Sequence, residues 1–128
     1  MQNFFDSLYK KAEQTITSGT AISELIDEVF LKIGEASESF YKIQDTVLAM
    51  ARMLRSWFNG DYKNISAKSI IAVVAALIYF VNPFDLIPDF IPLIGQIDDI
   101  LILGYLIKIV NKEIERFMTW EENQSAVK

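Results

Sequence analysis

The sequence predicts an all-α fold, a compact helical bundle of about five helices in which two central apolar helices are joined by an Asp/Pro-rich reversal. Three observations carry that expectation. Apolar residues recur at helical spacing through most of the chain, no stretch alternates with the two-residue period of a strand, and 128 residues with 52% apolar content suit one core. No internal repeat is present.

The first helix is expected over the opening residues, where Phe5, Leu8, Tyr9, Ala12 and Ile16 form one stripe and Lys10, Lys11 and Glu13 the opposite face. It ends near Ser18-Gly19, and Thr20 is the expected N-cap of the next helix. There Ile22, Leu25, Ile26, Val29, Phe30 and Ile33 make the stripe, which resumes after Gly34 as Phe40, Ile43, Val47, Met50, Ala51, Leu54 and Phe58. A single helix from Thr20 to Phe58 would run about 58 Å, longer than a domain of this size is wide, so a break is expected near Gly34 to Ser37. Asn59-Gly60-Asp61 is a strong helix stop, and Ser66 is the expected cap of the helix that follows.

From Ser69 to Val81 the sequence is apolar on every face, which requires surroundings of protein or lipid. Asn82-Pro83 ends it. A second apolar helix is expected from Ile97 through Val110, turning amphipathic at Ile114, Phe117 and Met118 and fraying after Trp120. The expected organisation is one structural domain, with N-terminal amphipathic helices over 1–34, the main helical part over 35–120 and a frayed tail over 121–128.

Composition removes several chemistries. The chain has no histidine and no cysteine, so disulfides, thiolate or imidazole metal ligands and Ser-His or Cys-His nucleophile pairs are excluded. A net charge of −5 argues against a nucleic-acid partner, which needs a concentrated positive field. The first twelve residues mix apolar and charged side chains and have no small-residue cleavage site, so they do not read as a secretory signal. The expected location is cytoplasmic or membrane-associated, not secreted.

The most informative segment is Asn82-Pro83-Phe84-Asp85-Leu86-Ile87-Pro88-Asp89-Phe90-Ile91-Pro92-Leu93-Ile94-Gly95-Gln96-Ile97-Asp98-Asp99, which holds all three prolines and four aspartates within the most apolar region. An unpaired buried carboxylate costs several kcal/mol, so these acids need caps, cationic partners, a metal or water. Each has a helix-end role available: Asn82 and Asp89 as caps, Asp85 in a first turn behind Pro83, and Asp98 and Asp99 at the start of the last helix. Arg52, Arg55 and Lys68 are the cations that could pair with them.

This arrangement resembles the YkvA-like family, a bacterial and plant domain of unknown function. Its hallmark is an aromatic-ended apolar helix followed by Pro-x-Asp-x-Ile-Pro-Asp-x-x-Pro, a glycine and Asp-Asp. Here the matching residues are Tyr79, Pro83, Asp85, Ile87, Pro88, Asp89, Pro92, Gly95, Asp98 and Asp99. A looser likeness extends from Phe40 to Phe117 and includes Lys68. The resemblance implies no activity, but membership often accompanies membrane proteins.

The leading functional expectation is a non-catalytic helical scaffold or interaction module, without a cofactor, that meets a protein partner, a second copy or a membrane surface. Enzymatic activity is not expected, since no phosphate-cradling glycine loop or nucleophile elbow is present. Two alternatives stand beside it. Asp85, Asp89, Asp98 and Asp99 could bind Mg²⁺, Ca²⁺ or Mn²⁺ through oxygen and support a cation-dependent activity. Alternatively, the two apolar helices could form an integral membrane hairpin. Against the hairpin, Ile70 to Val81 gives twelve uninterrupted apolar residues where a span needs about 20, and the later stretch contains Asp98, Asp99 and Lys108.

Overall fold

The computed structural model describes residues 2–35, 44–81 and 99–127. They form five helices, α1 (Gln2–Thr15), α2 (Gly19–Glu35), α3 (Gln44–Asn59), α4 (Ala67–Val81) and α5 (Asp99–Val127), with no strand among the described residues. The chain is all-α.

The organising element is α4, which packs against α1, α2, α3 and α5. Its side chains from Ala72 to Phe80, together with Ile70, are all buried. Their burial follows from the sequence, because a helix apolar all round can be stable in water only if neighbours cover every side. The neighbours supply matching stripes: Leu8 and Ala12 from α1, Ile22, Leu25, Ile26 and Val29 from α2, and Val47, Met50, Met53 and Leu54 from α3. The helices expected over 1–34 thus share one core with the rest.

The second apolar helix also packs on α4, in the antiparallel sense. Ile109 and Val110 lie across a groove from Lys68 to Ala72, while Phe117, further along α5, meets Tyr62, which precedes α4. The two helices share the centre unequally. Leu103, Leu106, Val110, Ile114 and Phe117 form one buried stripe of α5, whereas Tyr105 and Ile109 are 54% and 49% exposed.

Local signals explain most boundaries. Ser66 caps α4 as expected: its Oγ accepts from the Ser69 backbone N–H at 3.1 Å, and its carbonyl accepts from Ile70 N–H at 3.0 Å. Ser18, not Thr20, caps α2, its Oγ accepting from Ala21 N–H at 3.2 Å and its carbonyl from Ile22 N–H at 3.0 Å. Helix α2 therefore begins before Thr20, with Gly19 where the Phe58 ring comes closest. A side-chain carbon at Gly19 would lie 3.1 Å from that ring.

The Asn59-Gly60 stop is a Schellman motif: Asp61 N–H donates to the Ser56 carbonyl at 2.9 Å and Gly60 N–H to the Trp57 carbonyl at 3.1 Å. Gly60 takes φ +85°, the left-handed conformation the motif requires and most side chains resist. The break expected near Gly34 to Ser37 does not fall at Gly34, which lies inside α2, and its remaining positions from 36 on lie outside the described residues, but α2 and α3 are separate helices. Gly19 meets Phe58 and Phe30 meets Arg55, so α2 and α3 run antiparallel and cannot be one helix.

The end of the last helix also departs from expectation. The tail expected to fray over 121–128 is helical through Val127. Its support is non-local: the Arg52 guanidinium of α3 donates from Nε to Glu121 Oε2 at 2.8 Å and from Nη2 to Oε1 at 3.1 Å. A bidentate fork of this kind fixes both partners' geometry. Glu121 thus ties the end of α5 to α3.

Candidate functional site

Of the residues singled out by the proline-aspartate motif, Asn82, Pro83, Asp85, Pro88, Asp89, Pro92, Gly95 and Asp98 lie outside the described residues, and Asp99 is the first residue of α5. Among the described residues no three acidic side chains gather as a metal site would need. The three cations named as possible partners of the motif occupy separate places. Arg52 is engaged by Glu121. Arg55 lies over the Phe30 ring, 5.1 Å from its centroid, a cation–π contact that shields a partly exposed aromatic. Lys68 is exposed at the start of α4.

Lys68 stands at the edge of an open groove of about 810 Å³ between α1, α4 and α5. Tyr9 and Glu13 line it from α1, Lys68, Ser69, Ile71 and Ala72 from α4, and Ile109 and Val110 from α5. Its size falls in the range of small-molecule pockets, which are apolar with a few polar groups at defined points. Burial, and then the neighbouring Tyr105, hold the Tyr9 hydroxyl above the usual tyrosine range. Tyr9 therefore stays neutral and presents an apolar ring with a polar tip.

The outer face of α5 continues this surface. Tyr105, Lys108, Ile109, Lys112 and Arg116 are all exposed, and their spacing of three and four residues places them on one side of the helix. Arg116 Nη1 lies 3.6 Å from Glu113 Oε2. Lys108 and Lys112 have no ion-pair partner among the described residues. Nearby acids are Glu115, exposed one turn before Thr119, and Glu13 across the groove.

Behind that face sits an aromatic cluster. The Tyr62 ring meets Phe117 edge-on at 5.1 Å and Trp120 at 5.1 Å, and Phe117 stacks on Trp120 at 5.6 Å. Tyr62 is 2% exposed, and neither its hydroxyl nor Glu113 Oε2 has a hydrogen-bond partner among the described residues. Burial first, and the Glu113 charge second, raise the Tyr62 hydroxyl above the usual tyrosine range, with Arg116 pulling the other way.

Sequence reading followed the inward stripe of α5 and passed over its outer face. The signal was present, since Tyr105 and Ile109 share four-residue spacing, as do Lys108, Lys112 and Arg116. Tyr62 offered no such signal, because a lone aromatic in a turn does not say which helix it will meet.

Comparison with known proteins bears on the central part of the chain. Residues 69–105 match the model of a family described as a protein of unknown function, DUF1232. The chain is 41% identical over 69 residues to a protein named "Uncharacterized membrane protein YkvA" from Bacillus subtilis (strain 168). That alignment covers 54% of this chain and 65% of the relative. No solved structure matches the chain. Within the matched segment α4 is the enclosed helix and the start of α5 lies against it, so the likeness falls on the centre of the fold. Over residues 69–105 the chain is thus similar to the YkvA-like family, and the likeness falls on less than two thirds of the relative's length.

Proposed function

We propose that the chain is a non-catalytic helical module that attaches to a membrane surface from one side. The observation supporting this reading is the enclosure of α4. The segment with the strongest apolar character is covered by α1, α2, α3 and α5 of the same chain, so its hydrophobicity is used in the core. Among the described residues no helix is long and apolar enough to cross a bilayer. At 15 residues α4 spans about 22 Å, short of the roughly 30 Å hydrocarbon layer. The relative's name associates it with a membrane, and surface attachment reconciles that association with an apolar helix buried in protein. The exposed apolar side chains of α5 suit such a contact.

Fractionation of cells producing the full chain tests the reading. A peripheral module sediments with membranes and is released by carbonate at high pH. Retention in the pellet after that wash would establish an integral protein, and absence from membranes would remove the membrane role.

A further inference from the structure

The outer face of α5 is the part of the molecule whose chemistry exceeds what folding requires. The chain carries a net charge of −5, yet Lys108, Lys112 and Arg116 stand on successive turns of one exposed helix face. Between and beside them, Tyr105 and Ile109 expose half their surface to water. Lys68, on the wall of the groove opposite Ile109, adds a fourth cation. The opposing acids on this side are Glu113, held near Arg116, Glu115, and Glu13 at the far wall. Cations interleaved with a tyrosine and an isoleucine on one helical face form a surface that meets anionic headgroups with its charges and the acyl boundary with its apolar groups.

We propose that this face of α5, with Lys68 at its edge, docks the protein on a bilayer rich in anionic lipid. The inference rests on the membrane-surface reading and specifies where and with which lipid chemistry contact occurs. Charge complementarity selects the occupant. An acidic protein is repelled as a whole by an anionic surface, so it approaches with its basic face forward, and Tyr105 and Ile109 then enter the interfacial layer. Lys108 and Lys112, having no acidic partner among the described residues, need break no ion pair to do so.

Co-sedimentation of the full chain with vesicles of phosphatidylcholine alone, and of phosphatidylcholine mixed with phosphatidylglycerol, tests the proposal. The expected result is binding to the mixed vesicles only, weakened by added salt. Lys108→Gln and Lys112→Gln should each weaken it about five-fold, following the contribution of one cation near an anionic surface. Lys11→Gln removes the same charge from the separate groove between α1, α2 and α4 and should leave binding unchanged. All these positions are exposed, so the variants keep the core intact.

Because the chain has no cysteine, Ile109→Cys carrying an environment-sensitive fluorophore gives a second readout, a blue shift on the mixed vesicles. Equal binding by wild type and both lysine variants, with no shift at position 109, would overturn the α5 face while leaving surface attachment standing. Failure of the wild type to bind either vesicle, together with its absence from membrane fractions, would overturn both. Self-association of the wild type in sedimentation velocity that is lost in the lysine variants, without vesicle binding, would assign the face to a second copy and overturn the lipid proposal.

Discussion

Helices α4 and α5 are both expected from sequence as apolar central elements, and they end in different roles. In α4 every position from Ala72 to Phe80 is buried, and four other helices touch it. In α5 the buried residues are confined to one stripe, and the opposite side carries cations, a tyrosine and an isoleucine in water. The difference lies in average hydrophobicity and in periodicity together: α4 is the more apolar, and its unbroken run forces enclosure, while cations recurring every four residues in α5 force one side outward. One helix holds the fold together, and the other leaves a chemically distinctive surface free.

That contrast gives its largest measurable effect in matched truncations. Leu77, 1% exposed in α4, should cost about 2 to 5 kcal/mol when replaced by alanine, through lost burial and the cavity left behind. Ile109→Ala, at a position 49% exposed on α5, should change stability by less than about 0.5 kcal/mol. Urea unfolding of the two variants measures both. Similar losses would mean that α5 is as enclosed as α4.

A smaller effect tests whether the end of α5 is held by α3. Arg52 and Glu121 side chains are 41% and 30% exposed, so their bidentate pair contributes at most about 1 kcal/mol. A double-mutant cycle with Arg52→Gln and Glu121→Gln should yield a coupling of that size. In addition, amide exchange at 119–124 should quicken in either single variant. A coupling of zero would leave the last turns of α5 held by the aromatic cluster alone.

The smallest effect concerns Tyr62, which joins the α3–α4 turn to α5. Its hydroxyl is buried without a hydrogen-bond partner among the described residues, so Tyr62→Phe should leave stability at neutral pH unchanged or raise it by up to about 1 kcal/mol. A tyrosine is charged only when deprotonated, and Tyr62 is held above its ordinary value of 10.0 in the fold. The folded state therefore keeps this proton where the unfolded chain has begun to lose it. The stability this difference contributes is present in full below pH 10 and is lost as pH rises through the raised folded value. Thermal melts across the alkaline range should show a shallower decline for Tyr62→Phe than for the wild type, with the remainder owed to Tyr9 and other groups.

Much of the fold was legible because its determinants are local. Ser66 as a cap, Asn59-Gly60 as a stop and Ser69 to Val81 as an enclosed helix follow from neighbouring residues and period. The reading slipped where several local choices compete or where partners are distant. Ser18 and Thr20 are both acceptable caps, and the proximity of Gly19 to Phe58 belongs to a packing contact that sequence does not display. Glu121 could not be recognised as structural, because Arg52, its partner, lies 69 residues earlier. The candidate surface was half legible: its charges and spacing are in the sequence, but which side of α5 faces outward depends on α4. The proline-aspartate segment, where the sequence reading placed its cation hypothesis, lies almost wholly outside the described residues. Its capping and metal roles stand as sequence-based expectations.

The clamp on α5 has a consequence for how a surface contact would form. The helix is fixed by Val110 and Ile114 in the core, by Phe117 and Trp120 against Tyr62, and by Glu121 on Arg52. A strut pinned at three levels presents Lys108, Lys112 and Arg116 in one register before any encounter. Binding through such a preorganised face needs no coupled folding and loses little backbone entropy, unlike an amphipathic segment that becomes helical only when it lands.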